Sequence, residues 1–358
     1  MYGVTVNTAK ANILVARAGF APLLSEELAD RFGLETRSLG EDAVALDANA
    51  KNLPLYDQTI FARQFLPLAT PLQAADVGQA ALEVLRRLEV TSQRANRQSG
   101  RWTLHSFSVD DNAAPPGPGK LEKEVLSLVK QKLPRLWQRY ASPADMAGGE
   151  QAPSDFVVQI FFETATAAWL SIGSFASGIS PYVAGNLRMR ARADAPSRSA
   201  RKIEEAFREL GRLPQIGETA VDLGAAPGGW TYALARRGAS VTAVDAADLA
   251  LPDTKTFRDR VYHVRENGLR FHPPGPVDWL CCDMIVAPHE TVKVLSYWLE
   301  KKWMKHFIIN LKLPKDEPWQ SIKAALTLMG QYPWPQMKAR HLFHDRWEIT
   351  LIGSCIAP

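Results

Sequence analysis

Four polar side chains stand where this 358-residue sequence could assemble a chemical site: Lys202, Asp283, Lys312 and Glu348. An alcohol hydroxyl has a high pKa and is a poor nucleophile. It reacts when a base is held within hydrogen-bond reach and the electrophile lies in line. Lys312 lies in the apolar stretch Asn310-Leu311-Lys312-Leu313-Pro314. Partial burial and a second lysine would lower its pKa toward that of a usable base. Asp283 and Glu348 would oppose this by favouring the ammonium, and the sequence leaves the sign of the sum open. Singly, each of the four suits a surface charge or a salt bridge; their joint placement favours function.

A second group is the turn Val221-Asp222-Leu223-Gly224-Ala225-Ala226-Pro227-Gly228-Gly229-Trp230. Glycines there let a backbone approach a ligand and adopt positive φ. The spacing is neither G-x-G-x-x-G nor the Walker pattern, which disfavours a pyrophosphate ligand. Asp245 ends the next apolar run, where a carboxylate could receive two ribose hydroxyls. Together these point to S-adenosylmethionine, a nucleoside with a short zwitterionic tail. Trp230 reads as helix packing. Asp283 follows Trp279-Leu280-Cys281-Cys282 and precedes Met284-Ile285-Val286. Methylation of an exocyclic amine usually uses Asp/Asn-Pro-Pro-aromatic at such a point, which is absent. Methylation of a pyrimidine carbon uses a cysteine nucleophile, but Cys281 and Cys282 fall on the wrong side and read as buried strand residues. The remaining option is an oxygen nucleophile.

The elements that would position these residues alternate regularly beyond about residue 190. Apolar runs predict strands at Thr219–Leu223, Ser240–Asp245, Val261–Arg265, Val277–Asp283 and His306–Lys312. Helical spacing predicts helices at Ser199–Leu210, from the glycine turn to Arg237, at Pro288–Lys302 and at Glu317–Met329. A terminal hairpin is predicted from Met337–Phe343 and Trp347–Gly353 around His344-Asp345-Arg346. This is the signature of an α/β fold with a parallel doubly wound sheet and an antiparallel edge. The first 75 residues read as strand Asn12–Ala16, helix Pro22–Phe32 and strand Ala43–Leu46, a small α+β domain of ferredoxin-like kind. Residues 76–185 read as helix Ala75–Arg87, strand Trp102–Val109, a breaker-rich loop Asp110–Lys120, a long helix Leu121–Tyr140 and a hairpin of Phe156–Phe162 with Ala167–Ile172.

Hydrophobic residues make up 46% and charged residues 22%, which excludes a disordered chain. No apolar run is long enough to span a bilayer, and no secretory signal is evident, so the expected location is the cytoplasm without membrane association. Cys281, Cys282 and Cys355 have no metal-ligand spacing; no metal and no disulfide framework is expected. The net charge is only +4. It is unevenly spread: Arg188, Arg190, Arg192, Arg198, Arg201 and Lys202 lie within fifteen residues, against one acid, Asp194. This stretch is either a solvated linker or a strip that tracks phosphates.

The Lys-Asp-Lys-Glu set on such a sheet resembles the FtsJ-type RNA ribose 2′-O-methyltransferases. Ala193-Asp194-Ala195-Pro196-Ser197-Arg198-Ser199, Glu204-Glu205-Ala206-Phe207, Val221–Tyr232, Cys282-Asp283-Met284, Asn310–Pro314 and His344-Asp345-Arg346 extend the likeness. They are similar to the THUMP-containing methyltransferases that modify a cytidine of large-subunit rRNA, and Ile60-Phe61-Ala62-Arg63-Gln64 carries the resemblance upstream. It covers nearly the whole chain. The resemblance implies a ferredoxin-like domain over 1–75, an RNA-binding THUMP domain over 76–185 and a Rossmann-like methyltransferase domain over 186–358. It implies Lys312 as proton acceptor, with Lys202, Asp283 and Glu348 completing the tetrad. It implies cofactor contacts at Ser199, Ala226, Pro227, Gly228, Gly229, Asp245 and Asp283, and a product that is 2′-O-methylcytidine in the peptidyl-transferase region of 23S rRNA. Ala226 stands where the family can have Cys, a harmless change if backbone amides act there. Asn267 stands where Asp is expected beside the adenine, which predicts retained but weaker cofactor binding. The expected partner is 23S rRNA or a large-subunit precursor, bound by a monomer. Two other readings compete: a methyltransferase for another RNA such as tRNA, and a non-catalytic rRNA-binding assembly factor.

Overall fold

The computed structural model describes residues 10–54, 56–94, 99–108, 117–190, 192–332 and 336–356. The chain divides into two compact units, residues 1–186 and 187–358. No helix among the described residues is long and apolar enough to cross a membrane.

The first unit runs β1 (Ala11–Val15), α1 (Ala21–Phe32), β2 (Arg37–Ser38), β3 (Ala43–Asp47), β4 (Gln64–Gln73), α2 (Val77–Ser92), β5 (Trp102–Phe107), α3 (Gly117–Lys132), α4 (Pro134–Trp137), α5 (Pro143–Gly148), β6 (Phe156–Phe162) and β7 (Ala167–Ser174). One seven-stranded sheet, ordered β2-β3-β1-β4-β7-β6-β5, joins them. The strand that makes it continuous is β4. Its first half pairs with β1 and its last four residues pair with β7. Two prolines, Pro67 and Pro71, remove ladder donors from this strand, and its register with β1 shifts between Ala11 and Ile13. Buried Asn12 repairs the irregularity: its Oδ1 accepts the Leu68 N–H at 2.9 Å. Buried Glu27 likewise accepts the Ile60 N–H at 2.7 Å and the Phe61 N–H at 3.2 Å, which ties α1 to the segment leading into β4.

Strand β4 has no counterpart in the sequence reading, because its prolines hide the strand pattern, and two expectations for this unit need correction. The loop expected to Lys120 ends at Gly117, where α3 begins; residues 109–116 lie outside the described set. The single helix expected over Leu121–Tyr140 breaks at Leu133, since a residue preceding proline is pushed out of the α region and Pro134 suits a first helical turn.

The second unit runs α6 (Ala200–Leu210), β8 (Thr219–Leu223), α7 (Gly229–Arg236), β9 (Ser240–Val244), α8 (Lys255–Arg260), β10 (Val261–Val264), β11 (Val277–Cys282), α9 (Pro288–Glu300), β12 (Met304–Lys312), α10 (Pro318–Met329), β13 (Gln336–Arg340) and β14 (Glu348–Ser354). The sheet order is β10-β9-β8-β11-β12-β14-β13. Strands β8 to β12 are parallel, and β14 is antiparallel to both β12 and β13. The doubly wound sheet and its antiparallel hairpin are as expected. The chain steps outward from β8 to β10, then returns to lay β11 on the other side of β8. That reversal is the switch point where open α/β sheets bind ligands, beyond the carboxyl ends of the strands. Phe207 of α6 meets buried Trp279 of β11 edge to face at 5.5 Å, within a core that also takes in Ile308 and Ile352.

Candidate active site

The loop after β8 is shaped by close backbone approach. Gly224 has φ +77°, and a Cβ on it would fall 2.7 Å from Met284 Cγ and 3.0 Å from Met284 Cα. The chains leaving β8 and β11 therefore touch at the switch point, which only glycine permits there. Gly228, at φ +111°, opens α7. A Cβ on Gly229 would fall 2.4 Å from the hydroxyls of both Ser197 and Ser199. Ser199 thus packs against the first turn of α7; its carbonyl accepts the Trp230 indole N–H at 3.1 Å. Trp230 is buried, as helix packing requires. Beneath the turn, Asp222 accepts the Thr231 hydroxyl at 2.7 Å. Burial pushes the Asp222 carboxyl up to about 7.

A cavity of about 370 Å³ opens beside this turn, lined by Gly224, Ala226, Asp245, Asn267, Gly268, Asp283 and Met284 among others. Asp245 receives the Ala226 N–H at 3.0 Å on one oxygen and the Ala247 N–H at 2.9 Å on the other. Each carboxylate oxygen keeps a second lone pair for a ligand hydroxyl. Asn267 uses its side-chain oxygen to accept the Leu269 N–H at 2.9 Å. What it can still offer a base is its NH₂ and the second lone pair of that oxygen. Four of the sequence-derived cofactor residues, Ala226, Asp245, Asn267 and Asp283, meet at this cavity. Pro227, Gly228, Gly229 and Ser199 sit on the turn and the helix start that flank it. Gly268 was not anticipated: a Cβ there would fall 2.9 Å from Met284 Sδ and 3.3 Å from Leu223 Cβ. Its signal was the Asn267-Gly268 dipeptide, a turn former. A nucleoside fits this donor set: bare glycine backbone at two walls, a carboxylate for hydroxyls, and an amide for a base edge.

The four charged residues converge at the rim. Lys312 ends β12 and faces Glu348 at the start of β14 across the antiparallel ladder. Lys312 Nζ donates to Asp283 Oδ1 at 2.5 Å and also to Glu348. Lys202, from α6, pairs with Glu348 and lies 3.6 Å from the other Asp283 oxygen. The ring is mostly shielded, with side-chain exposures of 14% for Lys202, 15% for Asp283, 24% for Lys312 and 5% for Glu348. Burial works against the Lys312 charge, but Asp283 and Glu348 outweigh it and hold the ammonium above its ordinary pKa. Burial alone would raise Glu348, yet Lys312 and Lys202 hold it below the usual range. The sign left open by sequence is thus that of a protonated lysine. The neighbouring thiols stay inert: burial pushes Cys282 up to about 12 and Cys281 well above its ordinary value.

Helix α6 carries more than Lys202. Glu205 is buried and accepts the backbone N–H groups of Phe343 at 2.8 Å and His344 at 3.1 Å, which fastens the turn between β13 and β14. On another face, Arg201 and Arg208 stand seven residues apart and line a cavity of about 1190 Å³. Arg188, Arg190, Arg192 and Arg198 of the basic strip line it too, with Arg236 and Arg237 from the end of α7. Glu204 clamps Arg237, and Asp194 pairs with Arg236 at 3.4 Å. Lys202, the last basic residue of the strip, is absent from that lining and turns to the tetrad instead.

The FtsJ-like methyltransferase family profile matches residues 195–311, which include the glycine turn, Lys202 and Asp283. Proteins named ribosomal RNA large subunit methyltransferase M are similar over most of the chain. The one from Histophilus somni is 38% identical over 313 residues, covering 83% of this chain and 82% of its own. That from Alkalilimnicola ehrlichii is 31% identical over 364 residues, covering 95% and 93%. That from Actinobacillus pleuropneumoniae serotype 3 is 31% identical over 311 residues, covering 83% and 81%. The likeness reaches through both units, so the chain belongs to the ribosomal RNA large subunit methyltransferase M family.

Proposed function

We propose that the protein transfers a methyl group from S-adenosylmethionine to the ribose 2′-oxygen of a cytidine in 23S rRNA, with Lys312 as the proton acceptor. The observation that carries this reading is the closed ring of Lys202, Asp283, Lys312 and Glu348 at the rim of the switch-point cavity. Bound in that cavity, the cofactor supplies an electrophilic methyl group. Asp245 would hold its ribose hydroxyls, Asn267 its adenine, and the backbone around Ala226 its tail. Lys312 Nζ is the group placed to take the hydroxyl proton. Asp283 and Glu348 orient Nζ, and Lys202 balances the second charge on that pair of carboxylates. The arginine-lined cavity would follow the RNA backbone, since guanidinium groups match phosphate geometry. By the same reading, residues 1–75 and 76–185 are the ferredoxin-like and THUMP modules that select the RNA, and the enzyme works in the cytoplasm.

The test is methyl incorporation from labelled cofactor into protein-free 23S rRNA and into assembled large subunits, with the modified nucleotide mapped by mass spectrometry. Lys312→Ala should lower turnover by about 10²-fold or more, as loss of a general base does. Normal turnover by this variant would remove Lys312 as the base. Incorporation into tRNA instead, or RNA binding with no incorporation, would replace the substrate or the enzymatic reading.

A further inference from the structure

Directly behind the tetrad lies a second polar layer that no catalytic role yet explains. Strands β12 and β14 pair Lys312 with Glu348, and two residues back they pair Asn310 with Thr350. A two-residue step keeps the same face of a strand, so Asn310 and Thr350 sit under the tetrad. Both are fully buried, and so is Asp345 from the turn before β14. The contacts run in one line. Asn310 Nδ2 donates to Asp283 Oδ1 at 2.9 Å. Asn310 Oδ1 lies 2.7 Å from the Thr350 hydroxyl. That hydroxyl lies 2.9 Å from Asp345 Oδ2, which also accepts the Leu342 N–H at 2.9 Å.

Donor and acceptor accounting gives this line a direction. The Asp283 oxygen beside the Lys312 ammonium is a carboxylate oxygen and can only accept, so Asn310 must present its NH₂ to it. The Asn310 carbonyl then faces Thr350 and can only accept, which uses the single hydroxyl proton of Thr350. Thr350 Oγ1 has nothing left to give Asp345, so Asp345 must be the donor and must carry a proton. We propose that protonated Asp345, Thr350 and Asn310 form a buried one-way relay whose role is to position the Asp283 carboxylate against Lys312. The surroundings of Asp345 agree. Burial drives its pKa well above the carboxylate range and Glu348 adds to this, against the Leu342 N–H and Lys202, with Glu205 again raising it. A neutral acid here leaves the charge of the tetrad untouched while fixing the orientation of one of its members. Asp345, Thr350 and Asn310 are positioning residues, and the proposal rests on the reading of the tetrad as the methyl-transfer site.

The test compares full-length variants by kcat, by KM for rRNA, by cofactor Kd and by melting temperature. Thr350→Val is nearly isosteric but has no hydroxyl. It should lower kcat about tenfold or more while leaving KM and cofactor Kd within about twofold, the split expected of misoriented catalytic groups. Thr350→Ser should restore kcat to within about threefold of the parent, since it returns the hydroxyl. Asp345→Asn keeps a donor to Thr350 without a charge but cannot accept the Leu342 N–H at that atom; the lost contact should show in melting temperature while kcat stays within about threefold, whereas Asp345→Leu should fall with Thr350→Val. The relay is overturned if Thr350→Val keeps its kcat, if Thr350→Ser fails to rescue, or if Asp345→Asn folds yet loses as much kcat as Asp345→Leu. Should the valine and leucine variants not fold, Thr350→Ser and Asp345→Asn decide alone: both near parental kcat support the relay, and a tenfold loss in either refutes it. Lys312→Ala measured alongside keeps the two readings apart. Its normal turnover would sink the base assignment, whereas the relay is judged on ratios among the Thr350 and Asp345 variants.

Discussion

Lys312 stands as an ammonium in the free protein, because the two carboxylates in contact with it outweigh its burial. A base must be neutral to accept a proton, so only the deprotonated fraction reacts. Below a raised pKa that fraction grows with pH. We expect kcat/KM to rise about tenfold per pH unit from pH 7 to pH 9 without levelling, because kcat/KM reports the free enzyme's groups. A flat profile over that range would exclude the neutral amine as the reactive form. At the other end of the cavity, Asn267 accepts the Leu269 N–H on its side-chain oxygen and presents an uncharged amide whose NH₂ would face an adenine amine as donor to donor. A carboxylate there could keep that bond and still accept from an adenine amine. Asn267→Asp should tighten cofactor binding severalfold by calorimetry; unchanged or weaker binding would show that the position does not read the base.

At the scale of elements, what could be read in advance depended on how each strand is buried. Strand β8 matches its expected span residue for residue, because a central parallel strand is a short apolar run between turn signals. Strand β4 escaped because it changes partners halfway and carries Pro67 and Pro71, which argue against a strand in isolation. Asn12, which repairs its register, gave no hint of that task. The same division holds at the site. Asp283, Lys312 and Glu348 were legible because charged residues at the ends of apolar runs stand out, and Lys202 because it closes the basic strip. Asn310 and Thr350 were not, because their partnership exists only through the β12–β14 register, and Asp345 read as part of a turn. The arginine strip was legible as charge, but not its continuation by Arg208, Arg236 and Arg237 from two helices.

Over the whole molecule, the modest net charge conceals a division. Residues 1–186 hold 17 Lys+Arg against 19 Asp+Glu, and residues 187–358 hold 25 against 19. The excess of cations belongs to the unit with the tetrad. Arg190 and Arg198 are exposed at the large cavity and outside the tetrad. Reversing both, Arg190→Glu with Arg198→Glu, should raise KM for rRNA, leave cofactor Kd unchanged and flatten the slope of log affinity against log salt by about two, near one per lost phosphate contact. An unaltered slope would place the RNA elsewhere. Helix α6 links these properties physically. Its eleven residues carry arginines toward the large cavity, Lys202 into the tetrad, Glu205 into the hairpin turn and Phe207 into the core. A rod about 16 Å long at 1.5 Å per residue does not move one face without the others. If RNA follows the arginines as proposed, a strand there also leans on Lys202, and occupancy of the groove becomes tied to the spacing of the four charges.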